Sequence, residues 1–258
     1  MALNTTDVTL GKGKVLFLQD GTNGYLDLGN ATAFNITKEV ETLEHFSSRE
    51  GPKKRDKLVV TQQKATGQIT LDIPDPQNLN IFFMGDGVNL RTQASAAAAD
   101  YNVAARLDKW VEILDGSGDP VYDIPTTGVT VEDALDAALT EGTDFELDRA
   151  GGLIRFFSSG SAVEGDPYDV NFAKAELADI SKIKACQSKT VKGVVLFKGN
   201  PDCGKIQDVK GYASLTPSDS IDYIGEDFQT FNLNVEFEEN AAIEGLFEHI
   251  TRGVVTQA

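Results

Sequence analysis

The stretch from Tyr25 to Gly85, YLDLGNATAFNITKEVETLEHFSSREGPKKRDKLVVTQQKATGQITLDIPDPQNLNIFFMG, decides how this chain is read. Two long alternating segments flank a polar loop that carries glycine, proline and a cluster of cations. In the first segment Phe34, Ile36 and Val40 share one parity, and Asn35, Thr37, Glu39 and Glu41 share the other. In the second, Val59, Thr61, Ala65, Ile69, Leu71 and Ile73 are expected on one face, opposite Gln62, Lys64, Thr66, Gln68, Thr70 and Asp72. A period of two marks strands with one buried and one wet face. Strands of about 14 to 17 residues would reach about 45 to 55 Å at about 3.3 Å per residue, well beyond the usual five or six residues. Ribbons of that length suit a wall or a tube. Asp75 is placed to cap a short helix with Pro76 at its first position, and Leu79, Phe82 and Phe83 form the expected apolar stripe.

Working outward, Val15–Gln19 and Gly24–Leu28 read as a hairpin across Asp20-Gly21, and residues 1–11 as an arm with Val8 and Leu10 free to dock. Ala94–Ala99 reads as a helical turn or loop and Val131–Leu139 as a short helix. Strands are expected at Lys109–Leu114, Phe145–Leu147, Leu153–Phe157, Asp169–Phe172, Lys189–Lys198, Gln207–Thr216 and Gln229–Phe237. The last of these turns Phe231, Leu233, Val235 and Phe237 inward and Asn232, Asn234 and Glu236 outward. Residues 241–250 read as a terminal helical turn, and 253–258 as a tail. The fold class is therefore mainly β, with a sandwich or barrel-like core at residues 1–106 and 181–258 and a small inserted β subdomain at 107–180.

The formal net charge is −17, unevenly spread: residues 1–66 hold nine Lys/Arg and eight Asp/Glu, and the rest hold 14 and 32. Such a balance argues against nucleic-acid binding, which needs clustered cations to displace counterions. No apolar run approaches the length of a membrane span, and the first residues lack the apolar region of a secretory signal. Cys186 and Cys203 read as free thiols. His45 and His249 accompany no nucleophile signature, Gly11-Lys12-Gly13-Lys14 lacks phosphate-loop spacing, and Asp115–Asp119 lacks the downstream glutamate of a calcium loop. No catalytic, metal or cofactor site is expected. The exception to the acidic character is Arg49, Lys53, Lys54, Arg55 and Lys57, either a solvated turn or a plug for an acidic surface.

Three motifs in order resemble the major tail, or tail tube, proteins of long-tailed bacteriophages. The first joins Leu28-Gly29-Asn30, Thr42-Leu43-Glu44-His45-Phe46-Ser47-Ser48, and Asn78-Leu79 with Phe82-Phe83-Met84-Gly85. The second is Gly142-Thr143-Asp144-Phe145-Glu146-Leu147-Asp148 with Gly151-Gly152-Leu153-Ile154. The third runs from Gly211 through Leu215-Thr216-Pro217 to Asp227-Phe228-Gln229-Thr230-Phe231. The resemblance implies a structural virion protein without enzymatic activity, assembled as hexameric rings stacked into a non-contractile tail tube for genome ejection. It further implies a tape measure protein in the lumen during assembly, tail terminator and distal tail proteins at the tube ends, and viral DNA in transit without specific binding or membrane contact.

On that geometry Glu39, Glu41, Gln62, Lys64, Gln68, Thr70, Asp72, Asn232, Asn234 and Glu236 are candidates to face the lumen, and the basic loop to reach the next ring. The inner tube of a contractile tail or secretion machine, and a monomeric β-sandwich binding module, are the alternatives. The latter would use an aromatic platform, for which Trp110 is the one tryptophan, inside an expected strand.

Overall fold

A computed structural model of the chain describes residues 8–48 and 51–255. The fold is mainly β and divides into two units: residues 1–88 with 183–258, and residues 89–182. The expected boundary at 107 moves to 89, because the segment after Val88 pairs within the second unit.

The first unit is one antiparallel sheet. Its strands are β1 (Gly13–Gln19), β2 (Leu26–Asp27), β3 (Ala31–Ser47), β4 (Lys54–Leu71), β13 (Val191–Gly199), β14 (Gly204–Pro217), β15 (Phe231–Phe237) and β16 (Phe247–Val255), in the order β2-β1-β13-β14-β15-β4-β3. β16 lies beside the first half of β14, and β15 beside the second. Alternate side chains of these strands, including Phe17, Ile69, Leu71, Phe231 and Leu233, close one buried core.

The helix α1 (Pro76–Phe82) packs on this core. Asp75 caps it by accepting the Gln77 N–H at 2.9 Å, and Pro76 occupies the first turn, where no donor is needed. Its buried set is Asn78, Ile81 and Phe82 rather than Leu79, Phe82 and Phe83. Two contacts set that rotation: the Phe82 ring meets Phe231 edge-on at 5.4 Å, and Asn78 Nδ2 donates to Leu28 O at 3.0 Å.

The second unit contains β5 (Val88–Gln93), β6 (Ala96–Ala104), β7 (Trp110–Glu112), β8 (Thr130–Asp133), β9 (Phe145–Asp148), β10 (Leu153–Phe156), β11 (Pro167–Lys174) and β12 (Leu177–Ile183). Sheets β7-β10-β9 and β6-β11-β8 contribute to a separate core that includes Ile113, Val131, Ile154, Phe156 and Phe172, and β12 and β5 form a two-stranded pair of their own.

Three local expectations fail here. Ala94–Ala99 contributes to β6, paired with β11, instead of a helical turn, and Val131–Leu139 forms β8 and a turn instead of a helix. The terminal helical turn expected at 241–250 is a turn over 241–244 only and then β16, which continues to Val255. In each case a neighbouring strand edge satisfies the backbone groups that a short helix would have left open, and local propensity yields.

Candidate assembly surface

β3 and β4 pair along their whole length, from Ala31 beside Leu71 to Ser47 beside Lys54. β15 accompanies β4 only from Thr66 to Leu71. Beyond Thr66 the two strands continue alone, so residues 38–46 and 54–64 are exposed on both faces of a two-stranded ribbon. Twelve residues of β4 past that point would reach about 40 Å at about 3.3 Å each.

Alternation persists in the ribbon, but not with a single phase. The register shifts between Glu41 and Thr42, where Gln62 faces Glu41 while Val60 faces Thr42, and again between His45 and Phe46. These bulges break the parity expected from sequence. Val59 pairs with Leu43 on the face of Glu41 and Gln62, rather than sharing a face with Ile69. Apolar groups thereby occupy both faces: Leu43 and Val59 on one, and Val40, Phe46, Leu58 and Val60 on the other. All six are exposed.

Of the expected basic loop, Lys54, Arg55 and Lys57 lie in β4 itself. Gly51 makes the turn in the left-handed region, with φ +63°. Arg55 donates to Glu44 Oε1 at 2.6 Å, and His45 Nδ1 lies 2.6 Å from Asp56 Oδ1. Lys53, Lys54 and Lys57 make no ion pair among the described residues. Arg49, residues 1–7 of the expected arm and residues 256–258 of the expected tail lie outside the described residues. The remainder of the arm follows Gly204, where the Lys205 N–H donates to Thr9 Oγ1 at 3.0 Å.

Of the ten polar candidates, Gln68, Thr70, Asn232, Asn234 and Glu236 fall on the face of the sheet turned away from the core, Glu39, Glu41, Gln62 and Lys64 continue that face into the ribbon, and Asp72 follows β4. The register aligns Glu39 with Lys64, Glu41 with Gln62, Gln68 with Asn234, and Thr70 with Asn232. Thr70 Oγ1 donates to Asn232 Oδ1 at 2.7 Å, Gln68 Nε2 donates to Ser218 Oγ at 3.1 Å, and Lys64 Nζ lies 3.8 Å from Glu236. Asp72 lies just past β4, where one oxygen accepts Asn30 Nδ2 at 2.6 Å and the other is buried without a partner. Four carboxylates against one ammonium make this a net negative, hydrogen-bonding surface.

Sequence reasoning passed over two groups. The first is Asp208, buried on β14 between Lys198 (2.9 Å) and Arg252 (2.8 Å). The Arg252 guanidinium holds its carboxyl well below the usual carboxylate range; burial opposes this, and Lys198 and the Gly199 N–H reinforce it. The second is the β14–β15 loop, where Tyr223, Ile224 and Phe228 are 72%, 96% and 95% exposed. Apolar residues interspersed among acids were the available signal. Trp110 is also 44% exposed, with the Arg155 guanidinium 5.2 Å from its ring centroid. Among the described residues, no group of three His, Cys, Asp or Glu side chains could hold a metal ion, and Cys186 and Cys203 are free.

These features define a mainly β protein whose most conspicuous surface is an unpartnered β-ribbon. The chain belongs to the family described as protein of unknown function UCP028589, whose model matches residues 8–244. No curated protein matches it.

Proposed function

We propose that this chain is a structural subunit that assembles with copies of itself into the tube of a long, non-contractile phage tail. The carrying observation is the β3–β4 ribbon. An isolated two-stranded ribbon is at best marginal in water, and one with six bare apolar side chains and open edges calls for a cover. Copies of the same chain supply that cover in a ring or stack, where strand edges are closed by neighbours. The motif resemblance points to hexameric rings and a virion location.

In that assembly the polar face of β3, β4 and β15 forms the channel wall. Its net negative charge gives DNA phosphates no cationic foothold, so a genome passes without sticking. The tape measure protein occupies the same channel during assembly, and terminator and distal tail proteins close the ends. No catalytic step is assigned.

Negative-stain microscopy of the purified chain over a range of concentrations tests the reading. Rings or tubes of uniform diameter are expected. A chain that stays monomeric by sedimentation at high concentration, with no ring in any field, overturns it.

A further inference from the structure

The ribbon has a chemical complement on the same unit, at the opposite pole of the sheet. β15 runs antiparallel to β4, with Phe231 beside Leu71 and Glu236 beside Thr66. The loop leading into Phe231, residues 218–230, therefore lies at the end of β4 farthest from the ribbon tip at Lys54. Two hydrogen bonds and one partly buried residue hold it in place. Ser218 N donates to Asn232 O at 3.0 Å, Gln229 Nε2 donates to Asp222 O at 3.0 Å, and Ile221 packs on the core. From this anchored base Ile224 and Phe228 stand almost wholly in solvent, with Tyr223 exposed beside them in sequence.

Charge matches as well as apolarity. The loop carries Asp219, Asp222, Glu226 and Asp227 and no cation, a net of −4. The outer ribbon, residues 42–48 and 51–60, carries Lys53, Lys54, Arg55 and Lys57 against Glu44 and Asp56, a net of +2. In one chain neither surface covers the other, since both stay exposed.

We propose that the β14–β15 loop is the docking site for the outer ribbon of a second copy, with Ile224 and Phe228 against the ribbon's apolar residues and the four carboxylates facing its lysines. This inference rests on the self-association reading and names its partner surface. Because the two patches lie at opposite ends of β4, copies stacked in one orientation meet head-to-tail, and the contact repeats into a column. Ribbon charges steer the encounter, and apolar burial holds it.

The test uses the full chain and four variants, with melting temperature as the folding control and sedimentation plus microscopy as the assembly readout. I224S/F228S removes the apolar contact from side chains already in solvent. D222K/E226K/D227K takes the loop from −4 to +2 and K53E/K54E/K57E takes the outer ribbon from +2 to −4, and a fourth variant combines the two inversions. Unchanged melting with at least about a tenfold rise in the concentration needed for assembly is expected for the first three, about 1.4 kcal/mol per copy. The combined variant, complementary again across copies, is expected to recover most of the loss. Wild type that assembles while I224S/F228S assembles equally well, or a combined variant no better than its worse parent, overturns the contact and leaves self-association standing. A monomeric wild type overturns both.

Discussion

Replacing Val40, Leu43, Phe46, Leu58, Val59 and Val60 together by threonine strips the ribbon of its apolar surface while keeping residues that favour strands. These side chains are 42–66% exposed in the free subunit, so about half of each remains to be buried by a neighbour. Full burial of such a side chain is worth about 1.5–3 kcal/mol, and half of that is about 1 kcal/mol each. Six give about 6 kcal/mol of gross contact energy per subunit, about four decades in an association constant. The free subunit should lose less than about 2 kcal/mol, a few degrees in melting temperature, because the substituted groups lie outside its core. Microscopy and sedimentation should find folded monomers at concentrations where wild type forms rings or tubes. Normal tubes from the sixfold variant would refute a role for apolar ribbon contacts. A collapse in the melting temperature would show instead that the ribbon belongs to the fold of the single subunit.

Asp208→Asn should lower the melting temperature by an amount equivalent to about 2 kcal/mol, since two charge-assisted hydrogen bonds to a buried acceptor are weakened. The sign of its pH dependence follows from the depressed pKa: the carboxylate's contribution is complete above the unfolded value near about 3.9 and is lost as pH falls below it. The gap between wild type and variant, followed by calorimetry, should therefore stay constant from neutral pH to about 5 and narrow in stronger acid; a gap that widens in acid would contradict the assignment. Replacing residues 89–182 by a short Gly/Ser linker should leave the first unit folded and able to assemble, because the two cores share no residue and the chain crosses through the paired strands β5 and β12. A folded deletion variant that forms no ring would place the second unit in the interface.

Alternation was enough to separate Ile69, Leu71, Phe231 and Leu233 from Thr70, Asn232 and Asn234, because burial on one face of a sheet writes a period of two directly into the chain. The Asp75-Pro76 cap was legible for a similar reason, since its chemistry is complete within three residues. The phase of the ribbon was not legible. A bulge is a property of two paired strands, and Val59 changes face only because Leu43 stands opposite it. Likewise Ala94–Ala99 and Val131–Leu139 have no strong local preference, and the edges of β11 made strands of both. Asp208 was invisible because Lys198 and Arg252 reach it from strands 10 and 44 residues away. Local periodicity and capping thus determined which residues could be core and where the helix begins. Which face each ribbon residue takes, which charges meet, and how far the two long strands run without a neighbour were decided only by strand pairing between distant segments.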